Sequence, residues 1–362
     1  MKKLFLIFLI FFFFLIPSLA SAQTGQEETL EGKVIEILKE EERETELGTQ
    51  FYQKLEVLIT QGSVKDEKVE VEVGGSAAVI GQPQYQINDE VVVVQGEDYE
   101  GNKVFYIADF VRRDPLIFLF FLFVVLVITV ARWRGLTSLL GLGISFLIIF
   151  KFILPMIYAG YDPVLITVLA SLVIIPVSFY LSHGFNRKTT IAIGGTLIAL
   201  IITGFLAQIF VEATKLTGFA SEEAGFLQAA RGNLVNIKGL LLAGIIIGAL
   251  GVLDDISIAQ SAVVQQLREA NPKMKTKELF LRAMNVGQDH IASMVNTLVL
   301  VYTGAALPLL LLFINNPLPF AQVVNYEIIA EEIVRTLVGS LGLITAVPVT
   351  TFLASSFDLR KK

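Results

Sequence analysis

From Pro115 to the carboxyl terminus this 362-residue chain is dominated by apolar runs of membrane length, and no other feature restricts its fold as tightly. Hydrocarbon about 30 Å thick asks for roughly 20 apolar residues per helical crossing, and it leaves backbone amides only helices or closed barrels as solutions. Seven runs approach that length: Pro115–Ala131, Leu136–Ala159, Val164–Ser182, Thr190–Val211, Gly239–Leu253, Ile291–Phe313 and Ile333–Ser356. The fifth is short, and Ile256–Ala270 reads either as its extension or as an interfacial helix. Thr276–Val286 reads as a second short helix approaching the sixth run. The expected fold is therefore an α-helical multi-pass membrane bundle over residues 114–362. A composition of 54% hydrophobic and 17% charged residues agrees with it.

Two further segments precede the bundle. Lys2 and Lys3, an apolar core from Leu4 to Ile16, Pro17 and then Ala20-Ser21-Ala22 have the layout of a signal peptide cleaved after residue 22. An uncleaved anchor helix is the alternative. Residues 23–113 are polar, with strand-like alternation at Gly32–Leu38, Tyr52–Thr60, Lys68–Val73, Glu90–Gln95 and Lys103–Phe110. Five short strands predict a small all-β domain, a barrel of the OB-like type. Glu40-Glu41-Glu42 reads as a solvated turn.

Basic residues decide the expected orientation. Arg132 and Arg134, Arg187 and Lys188, the cluster from Arg268 to Arg282, and Arg360-Lys361-Lys362 fall in alternate loops, which the positive-inside bias assigns to the cytoplasm. The β-domain is then extracytoplasmic and the carboxyl terminus cytoplasmic, in a plasma membrane. An odd number of crossings fits that arrangement.

Several function classes are excluded or unsupported. There is no cysteine, hence no disulfide, thiolate metal site or cysteine nucleophile. His183 and His290 lie far apart in sequence. No basic stripe with aromatics suggests nucleic acid, and no phosphate-binding loop suggests a nucleotide. No cofactor is expected, and the identity of any metal is left unknown. The partners expected are the lipid bilayer, an envelope protein on the β-domain and, as one arrangement, further copies of the chain.

Chemistry is concentrated in two stretches. In GIIIGALGVLDD, Gly244, Gly248, Gly251 and Asp255 share one helical stripe, with glycines that would let another helix approach closely. Asp254 points about 100° away and reads as structural. In GQDHIASMVNTLVLVYTG, Asp289, Asn296 and Thr303 recur at seven-residue spacing with Ala292 between the first two. A polar stripe at membrane depth must face protein or water, so Asp255, Asp289, Asn296 and Thr303 are the candidate lining of a solute or ion pathway. Glu331 and Arg335 read as an ordinary pair one helical turn apart, and Pro348, flanked by Thr345, Thr350 and Thr351, should kink the last helix. An offset of 53 residues aligns Arg134, Thr137 and Gly141 with Arg187, Thr190 and Gly194 as a weak repeat.

Three segments carry a resemblance to a family: GALGVLDDISIAQSAVVQQLREANP from Gly248, GQDHIASMVNTLVLVYTGAALP from Gly287 and VGSLGLITAVPVTTFLA from Val338. They resemble the YibE/F family of bacterial membrane proteins. The resemblance implies a signal, a small β-domain and following helices, with motif carboxylates at Asp255 and Asp289 and then Asn296-Thr297. The chain departs from the pattern at Gln288, where a basic residue is usual, and at Asp254, where an apolar one is. The family implies no established activity. The leading expectation is a permease-like protein. Its rival is a noncatalytic scaffold or sensor with a partner-binding barrel, and an intramembrane hydrolase has the least support because no other catalytic residues accompany the aspartates.

Overall fold

The computed structural model describes residues 28–45, 48–74, 83–97, 101–314 and 318–357. The expected signal segment lies outside these residues. The chain divides into two compact units, one through Leu126 and one from Val127 onward.

The first unit is built on five antiparallel strands: β1 (Glu28–Thr45), β2 (Gly48–Gln61), β3 (Lys68–Val73), β4 (Glu90–Glu97) and β5 (Lys103–Phe110). Their order is β3-β2-β1-β4-β5, and they curl into a half-barrel. Period-2 alternation sends Val69, Val71 and Val73 inward with Leu30, Val34, Leu55, Val57, Ile59, Val91 and Val93. Buried Gln53 acts as a clasp, donating from Nε2 to the Tyr85 carbonyl at 3.0 Å and accepting from the Tyr85 amide at 2.8 Å. The triplet Glu40-Glu41-Glu42 is strand rather than turn, because β1 runs on through it and pairs it with Phe51, Tyr52 and Gln53.

The second unit is helical. Helix α1 spans Arg113–Ile148, its residues up to Leu126 falling in the first unit, and is followed by a π-helical stretch at Ile149–Ile153 and by α2 (Leu154–Tyr158). Together they run 46 residues, about 69 Å at 1.5 Å per residue, more than twice a hydrocarbon core. Helical geometry fails at one place, Arg132, with φ 53° and ψ −130°. The remaining helices are α3 (Pro163–His183), α4 (Arg187–Ala213), α5 (Glu222–Arg231), α6 (Ile237–Ala270), α7 (Thr276–Ala305), α8 (Leu307–Ile314), α9 (Phe320–Val323) and α10 (Glu327–Ser356). Asp162, Asn186, Ser221 and Asn236 cap α3, α4, α5 and α6, each accepting from an amide three residues on. Among the described residues five helical stretches are long and apolar enough to cross a membrane, and a sixth arises if α7 and α8, bent by 68°, count as one.

One of the two readings of Ile256–Ala270, the extension of the fifth run, is the one observed, and one expected boundary changes. The short fifth run and the segment after it form one 34-residue helix, α6, because Ile256, Ser257, Gln260, Ser261 and Val264 continue its buried face. Likewise Thr276–Val286 is the first part of α7 rather than a separate helix.

Glycines paired with threonines set the bundle's register. A Cβ on Gly195 of α4 would lie 2.2 Å from Thr350 Oγ1 of α10, and one on Gly342 of α10 would lie 2.1 Å from Thr203 Oγ1 of α4. Advancing from 195 to 203 on one helix retreats from 350 to 342 on the other, so the two run antiparallel. Helix α6 lies antiparallel to α4, through Ser261 to the Lys188 carbonyl at 3.0 Å and through Ile246 beside Gly204. It runs parallel to α10, with Ser257 facing Thr350 and Gln260 donating to Thr351 Oγ1 at 2.7 Å. Helix α10 continues unbroken through Pro348.

Candidate functional site

The α6–α7 pair carries both sequence motifs. Gln260 Nε2 of α6 donates to the Ala283 carbonyl of α7 at 2.9 Å, and bare Gly287 lies against the same amide, where a Cβ would come within 3.0 Å. Further along, Gly248 is nearest to the Tyr302 hydroxyl. The helices are thus antiparallel, and travelling from 260 back to 248 on α6 matches roughly 285 to 302 on α7. By that register Asp255 stands about one turn from the level of Asp289, and Gly251 stands near the level of Asn296.

Every residue of the two sequence-read stripes is exposed: Gly244, Gly248, Gly251 and Asp255 on α6, and Asp289, Ala292, Asn296 and Thr303 on α7. A Cβ on Gly244 or Gly251 would meet nothing within 4 Å, and one on Gly248 only the Tyr302 hydroxyl at 3.4 Å. Close helix approach, expected at these three glycines, occurs instead at Gly195, Gly287 and Gly342, where a Cβ would fall within 2.5 Å of a side chain on another helix. The stripe glycines line open space. Beyond Gly287 only Leu298 of α7 is buried, so this part of the helix presents mostly exposed and half-buried side chains.

The adjacent carboxylates separate. Asp255 is exposed, and together with Lys188 and Arg134 it is among the charges acting on His183 at the end of α3. That places it near the basic α3–α4 turn. Asp254 is half-buried, with its Oδ1 sealed from solvent and lacking a hydrogen-bond partner. Sequence reasoning set Asp254 aside. The missed signal was helical spacing: Asp254, Ser257 and Ser261 fall at intervals of three and four on the face that packs.

Sequence reasoning also missed a buried polar layer between α4, α6 and α10. Ser257, Gln260, Ser261, Thr350 and Thr351 are wholly inaccessible. Thr351 Oγ1 spends its proton on the Val347 carbonyl at 2.6 Å and so accepts from Gln260. Both partners of the Gln260 amide nitrogen are therefore acceptors, which fixes the amide's orientation and leaves its Oε1 sealed without a donor. His290 Nδ1, next to Asp289, is sealed and unpartnered too. Among the described residues no cluster of three or more His, Asp or Glu is placed to hold a metal ion.

Long apolar helices, a polar seam inside the bundle and polar stripes at membrane depth define an integral, multi-pass helical membrane protein. The chain belongs to the YibE/F family: the family model described as YibE/F-like protein matches residues 119–358, most of the helical unit. No curated protein and no solved structure matches the chain.

Proposed function

We propose that this protein is a permease-like carrier of a small solute or ion, with the open faces of α6 and α7 as walls of its pathway. One observation carries the reading. Asp255, Asp289, Asn296 and Thr303 stand exposed on membrane-length helices in matching register, beside a glycine stripe that is open at Gly244 and Gly251 and meets only the Tyr302 hydroxyl at Gly248. Hydrocarbon tolerates a carboxylate poorly, at about 2.5–3.5 kcal/mol on insertion scales, so such a face calls for water or protein. The break at Arg132 makes α1 with α2 two crossings, and counting α7 with α8 as one gives seven. With basic loops inside, the β-domain is extracytoplasmic and the carboxyl terminus cytoplasmic in the plasma membrane.

A scaffold or sensor is the rival reading, supported by the half-barrel: among the described residues β3 and β5 each have one ladder partner, and Val104 of β5 is 43% exposed. Single cysteines separate the two, since the chain has none of its own. Cysteines at Gly251, Ala292 and Thr303 are treated with membrane-impermeant maleimide from each side of oriented vesicles. A pathway gives labelling at all three, with sidedness that shifts between states. Complete protection of all three in folded protein would refute the permease reading.

A further inference from the structure

The glycine stripe does not end in featureless surface. At its Gly244 end, where α6 and α10 begin, lies a cavity of about 280 Å³. Its walls include Leu240, Leu241 and Gly244 of α6, Glu223 of α5, and Glu331 and Arg335 of α10. The Gly218 part of the wall is held in place by Glu327. Its Oε1 accepts from the Thr217 amide at 2.5 Å and the Gly218 amide at 2.9 Å, tying the loop after α4 to the start of α10. Gly218, with φ 85°, sits where a Cβ would strike the Ile237 carbonyl at 2.9 Å, so this loop also packs on the first turn of α6.

The charges in the wall do not balance. Glu331 has only 13% of its side chain exposed and bonds Arg335 at 2.5 Å through Oε1, while its Oε2 is sealed and unpartnered. Arg335 is shared, since its other terminal nitrogen reaches Glu332 at 3.2 Å. One guanidinium therefore serves both Glu331 and Glu332, which lies outside the wall, and Glu223 gives the wall a second carboxylate. Arg231 at the far end of α5 is committed elsewhere, donating to the Tyr158 carbonyl at 2.9 Å with its guanidinium 3.9 Å from the Tyr158 ring centre. Arg335 keeps one sealed, unpartnered donor at Nε, but its single charge is outnumbered by the surrounding carboxylates, so an extra cation would be stabilised here more than an added carboxylate. Apart from Ser221 the rest of the wall is leucine, isoleucine, alanine and glycine, suited to a compact alkyl body and poorly suited to a hydrated metal ion.

We infer that this cavity binds a small organic cation, an alkylammonium compound whose charge lies beside exposed Glu223 in the field of Glu331 and whose apolar body lies against Leu240 and Leu241. The site deepens the permease reading by naming a substrate class, and as a transport site it rests on that reading. The ammonium enters at the Glu331 end and faces the Gly244–Gly248–Gly251 stripe leading towards Asp255.

Gly244→Cys tests it, because a side chain there enters open space. The rate of maleimide labelling of this variant is measured at neutral pH without ligand, with saturating isoamylamine, and with isoamyl alcohol, the uncharged counterpart. Isoamylamine is expected to slow labelling about five- to tenfold, as occupancy near 80–90% would. The alcohol should leave the rate unchanged, and Glu331→Gln or Glu223→Gln in the same background should remove most of the protection. Glu223 is exposed, so its variant keeps the test valid even if Glu331→Gln disturbs folding. No slowing by the amine, equal slowing by the alcohol, or full protection surviving both substitutions would overturn the site. Equal protection by leucine would overturn the cationic class. Amine protection at Gly244→Cys together with unlabelled cysteines at Gly251 and Thr303 would support the binding site while refuting transport.

Discussion

Adjacent side chains on an α-helix point about 100° apart, so Asp254 and Asp255 meet different surroundings although they are neighbours in sequence. Reading the glycine stripe picked out Asp255, in line with Gly251, but it assigned no weight to Asp254, whose Oδ1 is the sealed one. A stripe defined by glycines shows where a helix is bare, not where it packs. Gln260 was illegible for a related reason, since a single glutamine among apolar residues does not announce that Ala283 and Thr351 converge on it. Gln260→Glu puts a carboxylate oxygen opposite the Ala283 carbonyl and should destabilise the bundle by about 3 kcal/mol or more, measured as loss of monodisperse protein on heating in detergent. In the β-domain, side-chain and backbone hydrogen bonds from Ser63 hold the Glu28 carboxyl below its ordinary value of 4.5. A depressed carboxyl contributes stability above its unfolded value and loses it as pH falls through the folded one. Thermal stability of the β-sheet, followed by its infrared amide band, should fall below about pH 4.5, and Ser63→Ala should flatten that dependence.

Among the elements, strands β3 and β5 match their expected spans, because alternation and flanking turns mark both ends. Helix ends were harder to read. Helix α6 overruns its apolar stretch because its buried face turns from leucine and isoleucine to serine and glutamine, which a hydropathy count scores as loop. The α4–α10 contact is testable by compensation. Gly342→Ala forces a methyl onto Thr203 and should cost about 1–3 kcal/mol, as overpacking does. Thr203→Ala in the same chain removes the offending hydroxyl and should recover most of the loss, a coupling that a double-mutant cycle in thermal unfolding measures directly. At Arg132, φ is positive, where a non-glycine residue carries strain of about 1–3 kcal/mol. Arg132→Gly should therefore raise thermal stability slightly, while Arg132→Ala should not.

For the whole molecule, composition and apolar length indicated a multi-pass protein with a β-domain, and membership of the YibE/F family agrees with that plan. Sequence left unread which helices hold the bundle together. Serine, threonine and glycine carry those contacts here, and their periodicity is hidden by the uniformly apolar background of each helix. Helices α4, α6 and α10 share the polar seam, and α7 joins that seam near Gln260 and Gly287. Substituting Gly287 by Ala, whose methyl would come 2.5 Å from Val347, should loosen this junction and increase maleimide labelling along α7 before global unfolding, as single-cysteine reporters at Ala292 and Thr303 would register.

The two interlocked glycine–threonine contacts between α4 and α10 are eight residues apart on each helix, about 12 Å. Like paired cogs, they resist sliding of one rod along the other while leaving each pair free to roll a little. In mechanical terms α4 and α10 form a fixed post and α7 a leaf pinned at one end. A conformational cycle in this fold would then proceed by swinging α7 about the Gln260–Gly287 pin, opening and closing the face that holds Asp289, Asn296 and Thr303.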